Sequence, residues 1–278
     1  MSISARRSVQ SALPHDRMTG RRTAREHGVS ERSNDVAVIK STISAWDQHF
    51  AIMTSPAAGQ YELQLAYDLD EVEQFYVERV NAWSLITSYG ENDVYSRWYK
   101  VTDTRGEMTM HETGRVERNH VAVLFPAWTD GIIGEVTWTE PAWAADRLTK
   151  DVRIALSRQL DQFDASWQSG DLDARLELVE DDTCSAIRIV EVNGTRRSRM
   201  VARNKAELRA AWAAGGAGRT VEFERLTRLT TTSYIFASYR MVIEFEDRAV
   251  ERETAAILPL GPNRRFVGEL SYSMEVKL

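Results

Sequence analysis

The sequence predicts an α+β protein made of two tandem copies of one fold, each with helices followed by an antiparallel sheet. The main observation is an internal repeat: Val116–Trp138 aligns without a gap with Val250–Tyr272, and seven of the 23 pairs are identical. Before each repeated stretch, apolar residues recur at spacings of three and four, which is typical of amphipathic helices. Short runs rich in β-branched and aromatic residues follow, separated by turn residues. A repeat about half the chain long indicates two domains rather than a solenoid of short units.

Length and composition set the broad class. A chain of 278 residues with 43% hydrophobic and 27% charged residues has room for two domains, each with its own core. The net charge of −6 does not favour nucleic acid as a partner. Cys184 is the single cysteine, which excludes an internal disulfide and a cysteine-rich metal site and suits a reducing compartment. No apolar run approaches the roughly 20 residues that span a bilayer, so we expect a cytoplasmic protein without membrane contact.

Residues 1–33 are predicted to be a disordered basic tail. They carry seven arginines against three acidic residues and show almost no apolar periodicity. The tail has no apolar core of the kind found in secretory signals, although its Arg- and Ser-rich composition also fits an organelle presequence.

The first copy is predicted over residues 34–145. Helical spacing covers residues 34–50 and 68–86, and strands are predicted at 95–101, 107–115, 119–125 and 132–138. Only about 17 residues separate its helices. We therefore expect this copy to have lost the middle helix and the first strand of the fold.

The second copy is predicted over residues 151–278. Its first helix runs to Trp167 and is broken at Gly170-Asp171, and a short helix and a strand at 183–192 follow. Asn204 is predicted to cap a helix over residues 205–214. Four long strands complete the chain, at 221–229, 234–246, 250–258 and 265–276.

Residues 163–174 (FDASWQSGDLDA) and 178–182 (LVEDD) resemble the NTF2-like superfamily, in particular its SnoaL-like, ketosteroid isomerase-like and scytalone dehydratase-like members. The resemblance covers residues 151–278 and reaches the first copy only through the repeat, which makes that copy look like a degenerate member. It implies two tandem cones, each a curved antiparallel sheet wrapped around helices, with a pocket between them. It also implies that sheets pair through their outer faces, either within this chain or in a homo-oligomer.

Enzymes of this superfamily mostly work without a cofactor and move protons with Asp, His and Tyr in an apolar pocket, as burial tunes their pKa values. Asp47, His111, His120 and Tyr99 are therefore the predicted catalytic residues. An Asp on the first helix with two strand histidines resembles the dehydratase branch, where such a trio removes a proton and expels a hydroxyl. The alternative is that both histidines are exposed near a hairpin turn and that Asp47 is a solvated helix residue.

The predicted substrate-binding residues are mostly aromatic, as expected of a pocket for a flat apolar ligand. They are Trp46, His49, Tyr67, Tyr95, Trp128, Trp138 and Arg188. Arg188 alternates with Ile187 and Ile189, and an Arg inside a cone favours an anionic or oxygen-rich ligand. A pocket in the second copy, at Asp182 and Arg188, is a further possibility. No histidine spacing typical of metal sites occurs, so no metal is expected.

The sequence thus predicts a cofactor-independent acid–base lyase, either a dehydratase or an aldehyde-releasing enzyme, acting on a hydrophobic aromatic or polycyclic alcohol or ketone. The superfamily's lyases for lignin-derived diaryl compounds suggest one such substrate class. The alternatives are a ketosteroid-type isomerase and a non-catalytic small-molecule-binding module. We interpret the repeated Gly134-Glu135 and Gly268-Glu269 as sheet framework, and His120, whose repeat partner is Thr254, as the place to look for function.

Overall fold

The structure is a computed structural model that describes residues 49–57, 60–96, 98–128, 131–132, 134–141, 148–181, 185–192, 195–215 and 219–277. These residues form two units, which we call unit one (residues 49–141) and unit two (residues 148–277). The predicted tail and most of the first predicted helix lie outside the described residues. No described helix is long and apolar enough to cross a membrane.

Unit one contains one described helix and seven strands. Its elements are β1 (His49–Ala57), β2 (Gln60–Ala66), α1 (Leu69–Ala82), β3 (Trp83–Tyr95), β4 (Tyr99–Met110), β5 (Val116–Trp128), β6 (Gly131–Ile132) and β7 (Gly134–Pro141). The carboxylate of Asp68 starts α1, because it accepts a hydrogen bond from the Glu71 amide at 2.9 Å.

Unit two contains three described helices and six strands. They are α2 (Lys150–Ser169), α3 (Leu172–Glu177), β8 (Ser185–Val192), β9 (Thr195–Ala202), α4 (Lys205–Gly215), β10 (Arg219–Thr230), β11 (Tyr234–Glu244), β12 (Ala249–Pro259) and β13 (Gly268–Lys277). Gly170 ends α2 with a left-handed φ of 70°, which a residue with a Cβ adopts only with strain. Asp171 then caps α3 by accepting from the Ala174 amide.

The two sheets have the same strand order, which confirms the predicted tandem fold. The order is β2-β1-β7-β5-β4-β3 in unit one and β9-β8-β13-β12-β11-β10 in unit two. Each sheet is antiparallel except for one parallel pair, β1 with β7 and β8 with β13. The strand β1 is therefore the counterpart of β8, and the prediction that the first copy lost this strand was wrong. The prediction extended the first helix to Phe50 because of its helical spacing, but His49 and Phe50 already belong to β1.

The outer faces of the two sheets pack against each other within the chain, as the resemblance implied. Their shared core contains large buried side chains from both units, including Trp138, Leu124, Phe236 and Tyr272. Alternation along each strand sends the opposite side chains inward, toward the helices of the same unit. On β11, for example, Phe236 faces the other sheet and Ile235 belongs to the core of unit two. The faces predicted for a homo-oligomer are thus occupied inside the chain.

Candidate functional site

A cavity of about 280 Å³ lies in unit two, between its helices and the inner face of its sheet. Residues at spacings of two on β11 and β12 supply much of the sheet wall, since every second side chain points to the same face. The helices contribute large aromatic rings. The lining includes Phe163, Trp167, Leu172, Arg175, Arg188, Trp212, Phe223, Tyr239, Met241, Ile243, Arg252, Thr254, Ala256 and Glu269.

A buried ion pair forms one wall of this cavity. Nε and Nη2 of Arg188 donate to Oε1 of Glu269 at 3.0 and 2.5 Å. The second carboxylate oxygen of Glu269 accepts from the indole nitrogen of Trp212 at 2.9 Å, and Ser271 donates to Oε1 at 2.6 Å. Burial by itself would raise the pKa of Glu269, but the charge of Arg188 and these hydrogen bonds hold that pKa below its ordinary value. Glu269 is therefore ionised at neutral pH.

Arg175 brings a second cation to the cavity, and none of the carboxylates in the described part of the chain forms an ion pair with it. Its guanidinium lies 3.4 Å from the centre of the Trp167 ring, and only 3% of the residue is exposed. Nε and Nη2 donate to the hydroxyl and carbonyl oxygens of Ser166 at 3.2 and 2.9 Å. Burial and then repulsion from Arg188 lower the pKa of Arg175 to about 9. The group thus still carries its charge at pH 7.

Tyr239 and Asp164 form a buried acid pair beside the cavity. Oδ2 of Asp164 accepts from Arg225 at 2.5 Å, whereas Oδ1 of Asp164 and the Tyr239 hydroxyl are buried without a well-formed hydrogen bond among the described residues. Burial raises the pKa of Asp164. Burial, followed by the charge of Asp164, raises the pKa of Tyr239 well above its ordinary value. Tyr239 therefore keeps its proton at neutral pH, and its ring forms part of the cavity wall.

Unit one holds the same glutamate in a different setting. Glu135, the repeat partner of Glu269, accepts hydrogen bonds from Tyr76 and Thr137. In place of Arg188 it has Ile52, because β1 and β8 align on their parallel partners at Gly134 and Gly268. Burial raises the pKa of Glu135. The rings of Phe50, Phe75 and Tyr76 pack edge to face inside this unit at 5.0 to 5.9 Å.

The three predicted catalytic residues that the structure describes, Tyr99, His111 and His120, are not brought together. His120 faces unit two: its ring nitrogens contact Asp103 Oδ1 at 2.5 Å and Ser233 Oγ at 2.9 Å, and Tyr234 also donates to Asp103. His111 follows β4 and packs beside the C-terminal end of α1. Its ring nitrogens lie 2.6 Å from Ser84 Oγ and 2.9 Å from the Asn81 carbonyl oxygen. The residue opposite His120 across the ladder is Arg105, so the two histidines do not face each other.

A one-residue shift explains why His120 points away from the helices of its own unit. Leu124 pairs with Val136 and Ile257 pairs with Leu270, so the connection between these pairs is one residue longer in unit two. A shift of one residue turns every side chain of a strand to the other face. Thr254 therefore lines the cavity of unit two, while His120 lies between the two sheets. The ungapped alignment that paired them was wrong for this strand.

The remaining predicted residues lie elsewhere. Tyr99 and Trp138 are buried in the core between the sheets, where Tyr99 packs against Phe236 at 5.9 Å. Tyr67 is 57% exposed. Asp47, Trp46 and Asp182 lie outside the described residues, as do the side chains of His49, Tyr95 and Trp128. Among the predicted substrate-binding residues whose side chains the structure describes, Arg188 is the one that lines the cavity.

Several residues of the cavity were not predicted. Arg175, Trp212 and Glu269 were missed, and Glu269 was interpreted as framework because it repeats. The sequence did contain one signal for it, namely that this Glu is repeated in both copies, as Glu135 and Glu269. Within the described part of the chain, no group of three His, Cys, Asp or Glu residues is arranged to hold a metal ion.

No family model matches the sequence, and no curated protein matches it. Similar solved structures include an NTF-2 like protein of unknown function from Burkholderia xenovorans, with 18% identity, a TM-score of 0.31, and coverage of 45% of this chain and 86% of its own. An LEH-like epoxide hydrolase from M. tuberculosis has 14% identity and a TM-score of 0.33, over 43% of this chain and 83% of its own. A ketosteroid isomerase-like protein from Erwinia carotovora atroseptica has 10% identity and a TM-score of 0.33, over 46% of this chain and 98% of its own. At these values the likeness carries no information about chemistry.

Proposed function

We propose that the cavity of unit two is the site of a cofactor-independent acid–base reaction on a small hydrophobic molecule that contains an oxygen function. The observation that carries this proposal is the pairing of Tyr239, whose ring lies on the wall of an aromatic cavity, with the buried carboxyl group of Asp164 beside its hydroxyl. Strongly shifted titratable groups in a cleft are typical of catalytic sites.

The residues have distinct roles in this proposal. Tyr239 keeps its proton, so it donates a hydrogen bond to a substrate oxygen on which negative charge develops. Glu269 is the ionised carboxylate on the cavity wall and takes the role of base, with Arg188 setting its orientation. Asp164 acts on Tyr239 rather than on the substrate. These roles suit reactions in which a proton next to a carbonyl is removed and an enolate forms.

Elimination from an aromatic β-hydroxyketone fits these roles first, which retains the lyase predicted from the sequence. For loss of water, Glu269 removes the proton next to the carbonyl, and the enolate expels hydroxide, which takes that proton from Glu269 to leave as water. For loss of an aldehyde, Glu269 removes the hydroxyl proton, the C–C bond breaks to give the aldehyde and an enolate, and the enolate takes the proton back. Isomerisation of a ketone passes through the same kind of enolate and is the second choice. The large rings of Trp167, Trp212 and Phe223 on the wall favour a flat aromatic body for the substrate.

Turnover of aromatic hydroxyketones and diaryl alcohols by the full chain tests this proposal. Tyr239→Phe removes only the hydroxyl, and we expect kcat to fall about 100-fold or more with little change in KM, since the lost hydrogen bond acts mainly in the transition state. Tyr272→Phe, in the core between the sheets, is the matched control and should retain turnover. Equal turnover by wild type and Tyr239→Phe would refute the role of Tyr239.

A second candidate function is ligand binding without chemistry. It is favoured by Glu269, whose two oxygens already accept hydrogen bonds from Arg188, Ser271 and Trp212. A carboxylate held in this way is a weaker base. Tight binding of an aromatic ligand with no chemical change after prolonged incubation would favour this function over the enzyme.

A further inference from the structure

Three arginines (Arg175, Arg188 and Arg252) and one glutamate (Glu269) line the cavity. Arg188 is paired with Glu269, and Arg252 with Glu275. Arg175 is the third arginine, and none of the described carboxylates forms an ion pair with it. Glu269 and, less strongly, the exposed Asp171 at the start of α3 attract it only from a distance, because Glu269 is paired with Arg188 and the Asp171 carboxylate caps the helix. The wall thus has one positive charge in excess.

Both Arg175 and Arg188 keep one nitrogen for a ligand. Nη1 of each makes no hydrogen bond with any described residue, while the other nitrogens are held by Ser166 in one case and by Glu269 in the other. Both arginines lie on the wall of the cavity. The Trp167 ring lies under both guanidinium groups, at 3.4 and 5.1 Å, and holds them in place.

We infer that the molecules taken up by this cavity are small aromatic carboxylates, whose carboxylate group is bound by Nη1 of Arg175 and Arg188. This inference rests on the proposed function only in that both use the same cavity. A buried cation without a counter-ion is unfavourable, and a ligand carboxylate supplies one negative charge to match the excess. The flat apolar part of the ligand then lies along Trp212, Phe223 and Tyr239.

The choice of carboxylate over phosphate follows from the charge balance. A phosphate group carries close to two negative charges near neutral pH, whereas the excess on the wall is one. The ionised Glu269 next to Arg188 adds further repulsion toward a second negative charge. A single carboxylate is therefore the better match.

Binding of 2-naphthoate and of 2-naphthamide to the full chain tests this inference. The two probes share size and ring but differ in charge, and the fluorescence of Trp167 and Trp212 in the wall reports binding. We expect the acid to bind about 10- to 100-fold more tightly than the amide, which corresponds to one charge-assisted hydrogen-bonded contact. Arg175→Met should abolish this preference, and Arg240→Met, at a half-exposed surface site, should keep it.

Equal affinity for acid and amide in the wild type would overturn the inference, and so would an unchanged preference in a folded Arg175→Met variant. Stronger displacement of a fluorescent aromatic acid by inorganic phosphate than by benzoate would overturn the choice of carboxylate. Arg175→Lys provides a second variant if the Met variant does not fold; it keeps the charge but loses the planar donors, and should show a reduced preference. Because these probes need not react, absence of turnover would count against the proposed function and leave this inference standing.

Discussion

Replacing Arg188 with isoleucine would give unit two the arrangement that unit one already has. Arg188→Ile removes the partner of the buried Glu269 and places there the residue found at Ile52. Breaking a buried ion pair from one side typically costs about 3–5 kcal/mol, because the remaining charge stays buried without compensation. We expect a loss of stability in that range at pH 8, where the hydrogen bonds from Trp212 and Ser271 alone support the carboxylate.

The stability lost on Arg188→Ile should depend on pH. In the wild type the pKa of Glu269 is lowered, so the stability from this group is present above its unfolded value near 4.5 and is lost as the pH falls through its folded pKa. Without Arg188, burial raises that pKa, as it does for Glu135 in unit one. The variant then loses stability as the pH rises above about 4.5. Since one pH unit corresponds to about 1.4 kcal/mol, the extra loss between pH 5 and pH 8 can reach about 4 kcal/mol.

Urea unfolding followed by tryptophan fluorescence at pH 5 and pH 8 measures this effect. The double variant Arg188→Ile with Glu269→Gln should recover much of the stability at pH 8, because it removes the unpaired charge. A loss of stability that is the same at both pH values, or a double variant no more stable than the single one, would refute the reasoning about this ion pair.

Three further predictions concern other parts of the chain. Glu135→Gln should cost little stability at pH 5 and stabilise unit one at pH 8. Burial raises the pKa of Glu135, so its stabilising contribution is lost as the pH rises through that folded pKa. Urea unfolding that shows the same stability difference between variant and wild type at both pH values would contradict this. His120→Ala should lower the free energy of unfolding by about 3 kcal/mol, measured by denaturation, because it removes contacts to Asp103 and Ser233 between the sheets. The kcat of the folded variant should be unchanged. A large fall in kcat would show that His120 takes part in catalysis. Gly170→Ala should lower stability by about 1 kcal/mol because of the φ of 70° at the end of α2. An unchanged melting temperature would show that the backbone at this cap adjusts to alanine without strain.

Much of the fold follows from local pattern. The long strands of unit two and the helices around it were predicted close to their observed bounds, because alternation and capping residues act over a few neighbours. Prediction was poorer in unit one. The predicted strand over residues 95–101 falls on the β3–β4 turn, and β1, β2, β3 and β9 were not predicted. In these places pairing with a distant strand outweighs local preference.

Prediction of the candidate site also succeeded where a local pattern was sufficient and failed where distant segments meet. The alternation of Arg188 with Ile187 and Ile189 was enough to predict that this arginine lies on the opposite face of the strand from the two isoleucines, because period two is a property of any strand. No local pattern showed that Arg175 and Trp212, on two different helices, meet Glu269 on the last strand. Contacts of that kind depend on how helices rest on the sheet.

The sequence by itself determined that the chain repeats one α+β fold and which side chains share a face of each strand. The tertiary structure alone decided which face meets the helices and which meets the other sheet. One additional residue in the connection from β12 to β13 was sufficient to place Thr254 in a cavity and His120 between the units. The physical reason is that a strand has two faces of equal geometry, and only packing against the rest of the protein makes one of them a site.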